Sequence, residues 1–161
     1  MATENQLFTV STIVLFTLFP KKEEPFKFFF SRKNTAGFWL LPWQPEIIVS
    51  ESSLDRYKRC LKEFDILEAY ACSRIEEPSF DYDFKNYLYT IFIVPVTPKL
   101  KSKLYEAGDD HHTRAFLSLN DIDRLTPKTK EGSKNKIKPF YDVEIEIILK
   151  FLERRRRLML H

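Results

Sequence analysis

"GFWLLPWQPEIIVSESSLDRYKRCLKEFDI", residues 37–66, changes character in the middle. FWLLP (38–42) reads as a short strand stopped by Pro42, and WQPEIIVSE (43–51) as an irregular connection. From there the pattern is helical. Ser52 or Ser53 is placed to cap a helix whose first turn carries Asp55, where a negative charge meets the helix dipole. Leu54, Tyr57, Leu61 and Phe64 recur at i, i+3, i+7 and i+10, the stripe by which a helix packs. At about 100° per residue, positions 60, 63 and 64 share one face. That face holds a thiol, one carboxylate and a phenyl ring: Cys60, Glu63 and Phe64.

Upstream, the β-branched run 7–19 predicts a long strand, PKKEEP a turn, and FKFFFSRK (26–33) a strand returning beside it. Downstream, LEAYACSRI (67–75) predicts a strand, and Pro78 with the acidic FDYDF a turn. YLYTIFIVPV (87–96) is the most strand-like segment, and AFLSL (115–119) predicts another strand. NDIDRL reads as a short helix starting at Asn120 or Asp121. A final helix over 140–158 has Ile147, Ile148, Phe151 and Leu152 as its apolar face. There are no internal repeats and no second hydrophobic core. The order β, β, β, α, β, β, β, α, α implies one α+β domain, residues 5–160, with a mixed sheet flanked by helices.

The chain has 161 residues, enough to bury a core without staples. Its net charge of +3 is too small to imply nucleic acid by itself. The Lys-rich loop 127–138 and the run Arg154–Arg157 concentrate that charge; either is a solvated segment or meets an anionic partner. Cys60 and Cys72 have no zinc-like spacing and read as free thiols. The apolar run 7–19 is too short for a bilayer and follows no basic segment, so the cytoplasm is expected and a membrane partner is not. Only three glycines are present, and no phosphate-cradling glycine pattern, Gly-x-Ser-x-Gly or His-Glu-x-x-His occurs.

The opening stretch resembles the Nudix box and its lead-in, Gly-x5-Glu-x7-Arg-Glu-U-x-Glu-Glu-x-Gly-U with U apolar, usually preceded by Trp-x-Leu-Pro-Gly-Gly. Trp39, Leu41 and Pro42 stand in the Trp-x-Leu-Pro positions, Glu51-Ser52 opens the helix, and Arg59 follows after seven residues. Leu61 matches the apolar slot and Glu63 the first of the paired glutamates. FKFFFSRKN and AFLSLNDIDRL resemble the flanking elements, so the likeness runs from about residue 8 to 158. It implies a Nudix-like α/β/α sandwich, with residues 53–64 as a helix beneath a cleft bounded by the 38–42 strand.

The departures lie where the family's chemistry lies. Trp43-Gln44-Pro45 replace the two glycines, Cys60 the Glu after Arg, Phe64 the second paired Glu, and Ile66 the closing Gly. Nudix enzymes hold divalent ions against a diphosphate with glutamates of this helix, and hard ions need oxygen ligands. Here one carboxylate remains where three belong, and Arg59, four residues before Glu63, is expected to pair with it. The resemblance thus implies a catalytically weak or inactive Nudix-fold protein that binds a nucleotide, RNA or a protein partner. The alternative is a divergent, active hydrolase using Mg²⁺ or Mn²⁺, with Glu63 as metal ligand and Glu63 and Glu51 as catalytic carboxylates. It would cleave a nucleoside diphosphate linked to another moiety. Glu46 is a further carboxylate near the helix start, and the Asp109–His112 loop is either solvated or recruited to the site. Arg32, Lys33, Trp39 and Trp43 are the substrate-binding candidates, base stacking on indole and phosphate meeting charge.

Overall fold

A computed structural model describes residues 9–21, 24–33, 37–63, 75, 78–106, 112–126 and 139–159, with backbone alone at 112 and 157–159. Six strands form one mixed sheet: β1 Thr9–Leu18, β2 Lys27–Lys33, β3 Trp43–Pro45, β4 Phe80–Phe84, β5 Tyr87–Pro95 and β6 His112–Leu117. The path across it is β4-β5-β1-β2-β6, with β3 added to β1. The β1–β5 pair is parallel along its whole length, from Thr9↔Tyr87 to Thr17↔Pro95, and the other pairs are antiparallel. Four helices are described: α1 Ser53–Glu63, α2 Pro98–Glu106, α3 Leu119–Leu125 and α4 Asp142–Met159.

The unbroken apolar run of β1 is explained by burial on both faces. Ile13 and Leu15 join Phe28, Phe30 and Ile91 against Ile122 of α3 and Ile147, Ile148 and Phe151 of α4. Val14 and Phe16, on the opposite side, join Phe29, Phe92 and Val94 against Tyr57, Cys60 and Leu61 of α1 and Leu100 and Leu104 of α2. The expectation of no second hydrophobic core is therefore corrected: the described residues form two, separated by one sheet. Their common wall makes the α/β/α sandwich, because alternate side chains of the same strands feed opposite cores.

Three elements differ from expectation. Residues 38–42 do not form a strand, since their backbone crosses from one neighbour to another. Leu40 exchanges hydrogen bonds with Ser31 of β2, whereas Pro42 O accepts from Val14 N of β1 at 2.9 Å. The strand lies instead in the supposed irregular connection, where Trp43–Pro45 pairs with Ser11–Ile13. β1 pairs with β2 only at Thr17 and Leu18, so this segment fills the gap where the two part. FDYDF is strand β4 rather than a turn: Phe80, Tyr82 and Phe84 alternate with exposed Asp81 and Asp83, a period of 2. The turn is Lys85-Asn86, with Lys85 at a φ of 54°.

Helix α2 was not expected. Thr97 and Pro98 form its start, Thr97 Oγ1 accepting from Leu100 N at 3.2 Å, and Leu100 and Leu104 supply its buried face. Helix α3 is capped two or three positions before the expected start, by Ser118 in a reciprocal capping box with Asp121. The strand expected over 67–75 and the Lys-rich loop 127–138 lie outside the described residues, apart from Ile75. Among the described residues no helix is long and apolar enough to cross a membrane.

Candidate functional site

Helix α1 sits where the sequence places it, but its faces are used differently. Tyr57, Cys60 and Leu61 are fully buried in the core, with Tyr57 stacked on Phe92 of β5 at 4.4 Å and 9°. Burial pushes the Cys60 thiol well above its ordinary value, the Glu63 charge adding to the effect, so it is a neutral core side chain. Glu63 is exposed. The expected shared face is thus divided, Cys60 inward and Glu63 outward, and Phe64 lies outside the described residues.

Arg59 does not pair with Glu63. Its guanidinium forks onto Glu51, Nη2 reaching Oε1 at 2.8 Å and Nη1 bonding Oε2. Bidentate matching of this kind outcompetes a single contact along the helix. Glu51 Oε1 also accepts from Ile47 N at 2.9 Å, and its side chain is only 5% exposed. The Arg59 hydrogen bond holds the Glu51 carboxyl down to about 2. Both Glu51 oxygens are therefore committed. Glu63 Oε2 accepts from Gln44 Nε2, and Gln44 Oε1 in turn accepts from Arg59 Nε at 3.4 Å. Glu46 is spent locally, accepting from Ser50 N at 3.1 Å. Buried Arg56, which the sequence reading passed over, ties the same corner to the sheet through Thr12 Oγ1 (2.9 Å) and Glu51 O (3.2 Å).

The four substrate-binding candidates separate. Trp39 is 5% exposed in the core, and Arg32 lies over its ring at 4.6 Å. Lys33 is exposed at the end of β2. Trp43, 44% exposed, lines a cavity. Of the Asp109–His112 loop, only the His112 backbone falls within the described residues, at the start of β6.

That cavity, about 500 Å³, opens between β1, β3, the β4–β5 hairpin and the start of α4. Trp43, Phe84, Tyr87, Tyr89 and Tyr141 give it aromatic walls, and Glu144 lines it as well. Glu144 is 4% exposed, and desolvation raises its carboxyl to about 8 despite the hydrogen bond from Leu41 N to Oε1 at 2.8 Å. Burial thus favours its neutral form, which carries an O–H donor. Its Oε2 has no hydrogen-bond partner among the described residues. The sequence held one signal for this residue: Glu144 begins the stripe 144, 147, 148, 151 of the last helix, a carboxyl on an otherwise apolar face.

No family model matches the chain. No curated protein matches it either. Among solved structures, a MutT/Nudix family protein from Listeria innocua superposes with a TM-score of 0.57. That match has 12% identity and covers 94% of this chain and 96% of the other. The chain has a Nudix fold. A MutT/Nudix family protein from Enterococcus faecalis (TM-score 0.37, 12% identity, 69% of this chain and 44% of that one) matches too loosely to bear on it. The same holds for MutT of Aliivibrio salmonicida and Vibrio cholerae (0.39, 14%, 71% and 85%). At these identities the likeness is one of fold alone.

A Nudix fold raises the question of a divalent ion on α1. The donors expected there, on the helix and just before it, do not fit one. Cys60 is a soft ligand locked in the core as a thiol, Glu51 is saturated by Arg59, and Glu63 is engaged by Gln44. Among the described residues, no three His, Cys, Asp or Glu side chains group as a hard ion requires.

Proposed function

We propose that this Nudix-fold chain binds a nucleotide in the aromatic cavity and has little or no hydrolytic activity. The observation that carries the reading is the contrast between two sites. At α1 the carboxylates Glu51 and Glu63 are committed to Arg59 and Gln44, whereas the cavity is walled by Trp43, Phe84, Tyr87, Tyr89 and Tyr141. A planar heterocycle stacks on such walls. A cavity of about 500 Å³ suits one nucleoside better than a polymer, which favours a nucleotide over RNA or a protein surface.

The test is titration of the full chain with AMP, CMP, GMP and UMP, read by quenching of Trp43 fluorescence. Saturable quenching by at least one, lost in Trp43→Phe, is expected. A panel of dinucleotides with Mg²⁺ or Mn²⁺ is expected to remain uncleaved. Turnover at an ordinary enzymatic rate that disappears in Glu63→Gln would establish the divergent hydrolase instead.

A further inference from the structure

Strand β3 is two-sided. Successive side chains of a strand point to opposite faces, and Trp43 and Pro45 line the cavity while Gln44 between them reaches α1. The strand is three residues long, and Pro45 has no N–H for the ladder. It is fastened on the helix side instead. Gln44 bonds both Glu63 and Arg59, and Arg59 Nη2 donates to Pro45 O at 2.6 Å. Arg59 is itself anchored by Glu51.

We infer that Arg59 and Glu63 are positioning residues for the cavity, clamping β3 through Gln44 so that the Trp43–Pro45 wall is fixed before a ligand arrives. The inference rests on the cavity being the binding site. The helix face that in Nudix enzymes grips ions here grips a strand, using Gln44 from the three residues that stand in place of the family's two glycines. A wall ordered in advance spares the ligand the entropy of ordering it.

The clamp has a chemical signature. Glu63 serves as a hydrogen-bond acceptor, a role that Gln can fill and Ala cannot. An ion ligand would need the charge. Trp39 is 5% exposed and Trp43 is 44% exposed, so acrylamide quenching of tryptophan emission in the full chain reports Trp43 without any ligand. Gln44→Ala and Glu63→Ala are expected to raise the quenching constant about twofold, with Glu63→Gln close to wild type. Affinity for the same four nucleoside monophosphates should follow that order, falling about tenfold, a factor worth ~1.4 kcal/mol, in the alanine variants.

Unchanged quenching in Gln44→Ala and Glu63→Ala would overturn the clamp, as would Glu63→Gln behaving like Glu63→Ala. If the alanine variants loosen Trp43 but no nucleotide binds even the wild type, the clamp stands and the binding reading falls. Arg59→Lys, which keeps the charge but loses the fork, is expected to loosen Trp43 as well, and far-UV circular dichroism checks that each variant is folded.

Discussion

At the scale of single residues, two carboxyls are displaced in opposite directions, and each makes a pH prediction. Glu51 is held at about 2 by Arg59, below an unfolded value near 4.3. Its contribution to stability is complete above that unfolded value and is lost as pH falls through 4 towards 2. Urea unfolding midpoints should therefore drop over that range in wild type and drop less in Glu51→Gln, which at neutral pH is the less stable protein. Glu144 is raised to about 8 by burial. The sign reverses: its neutral form is fully tolerated below the unfolded value, and stability declines as pH rises towards 8. Glu144→Gln keeps an acceptor for Leu41 N and removes the ionisation. It should be more stable than wild type at pH 8, with little difference at pH 4. Equal pH dependence in the two proteins, measured by the same urea titrations, would contradict this.

At the scale of elements, α1 divides its surface between a core-facing stripe and a polar flank. Its inner stripe still fills a core, with Tyr57, Cys60 and Leu61 fully buried. Its flank holds the Arg59–Glu51 pair and the Gln44 contact. Leu61→Ala removes buried methyl groups from beneath the sheet and should cost about 2–5 kcal/mol, read as a lower urea midpoint at unchanged slope. The register of this helix was legible because apolar spacing alone specifies which side faces the sheet. Arg59's partner was not, since spacing along a helix offered Glu63 while a residue before the helix, Glu51, is reached only once the chain has turned.

At the scale of the whole molecule, one sheet serves two cores, and the helices on either side are coupled through it. Phe151→Leu on the α4 side and Leu61→Ala on the α1 side should lower a single unfolding transition. Near-UV and far-UV circular dichroism should remain coincident in both. Two separable transitions would mean that the faces unfold independently.

The sequence by itself determined the order of most elements, the long buried strand β1 and the helix at 53, because periodicity and capping are local properties of a chain. The Nudix likeness rested on the spacing of Trp39, Leu41, Pro42, Glu51, Arg59 and Glu63. It misplaced the strand at 38–42 and misread β4 as a turn because backbone pairing partners come from distant segments, here Ser31, Val14 and β5. The cavity was decided only by tertiary structure. Its walls come from β1, β3, the β4–β5 hairpin and α4, and Glu144 acquires its raised pKa from their closure around it. Desolvation belongs to an assembled environment, and no stretch of sequence carries it alone.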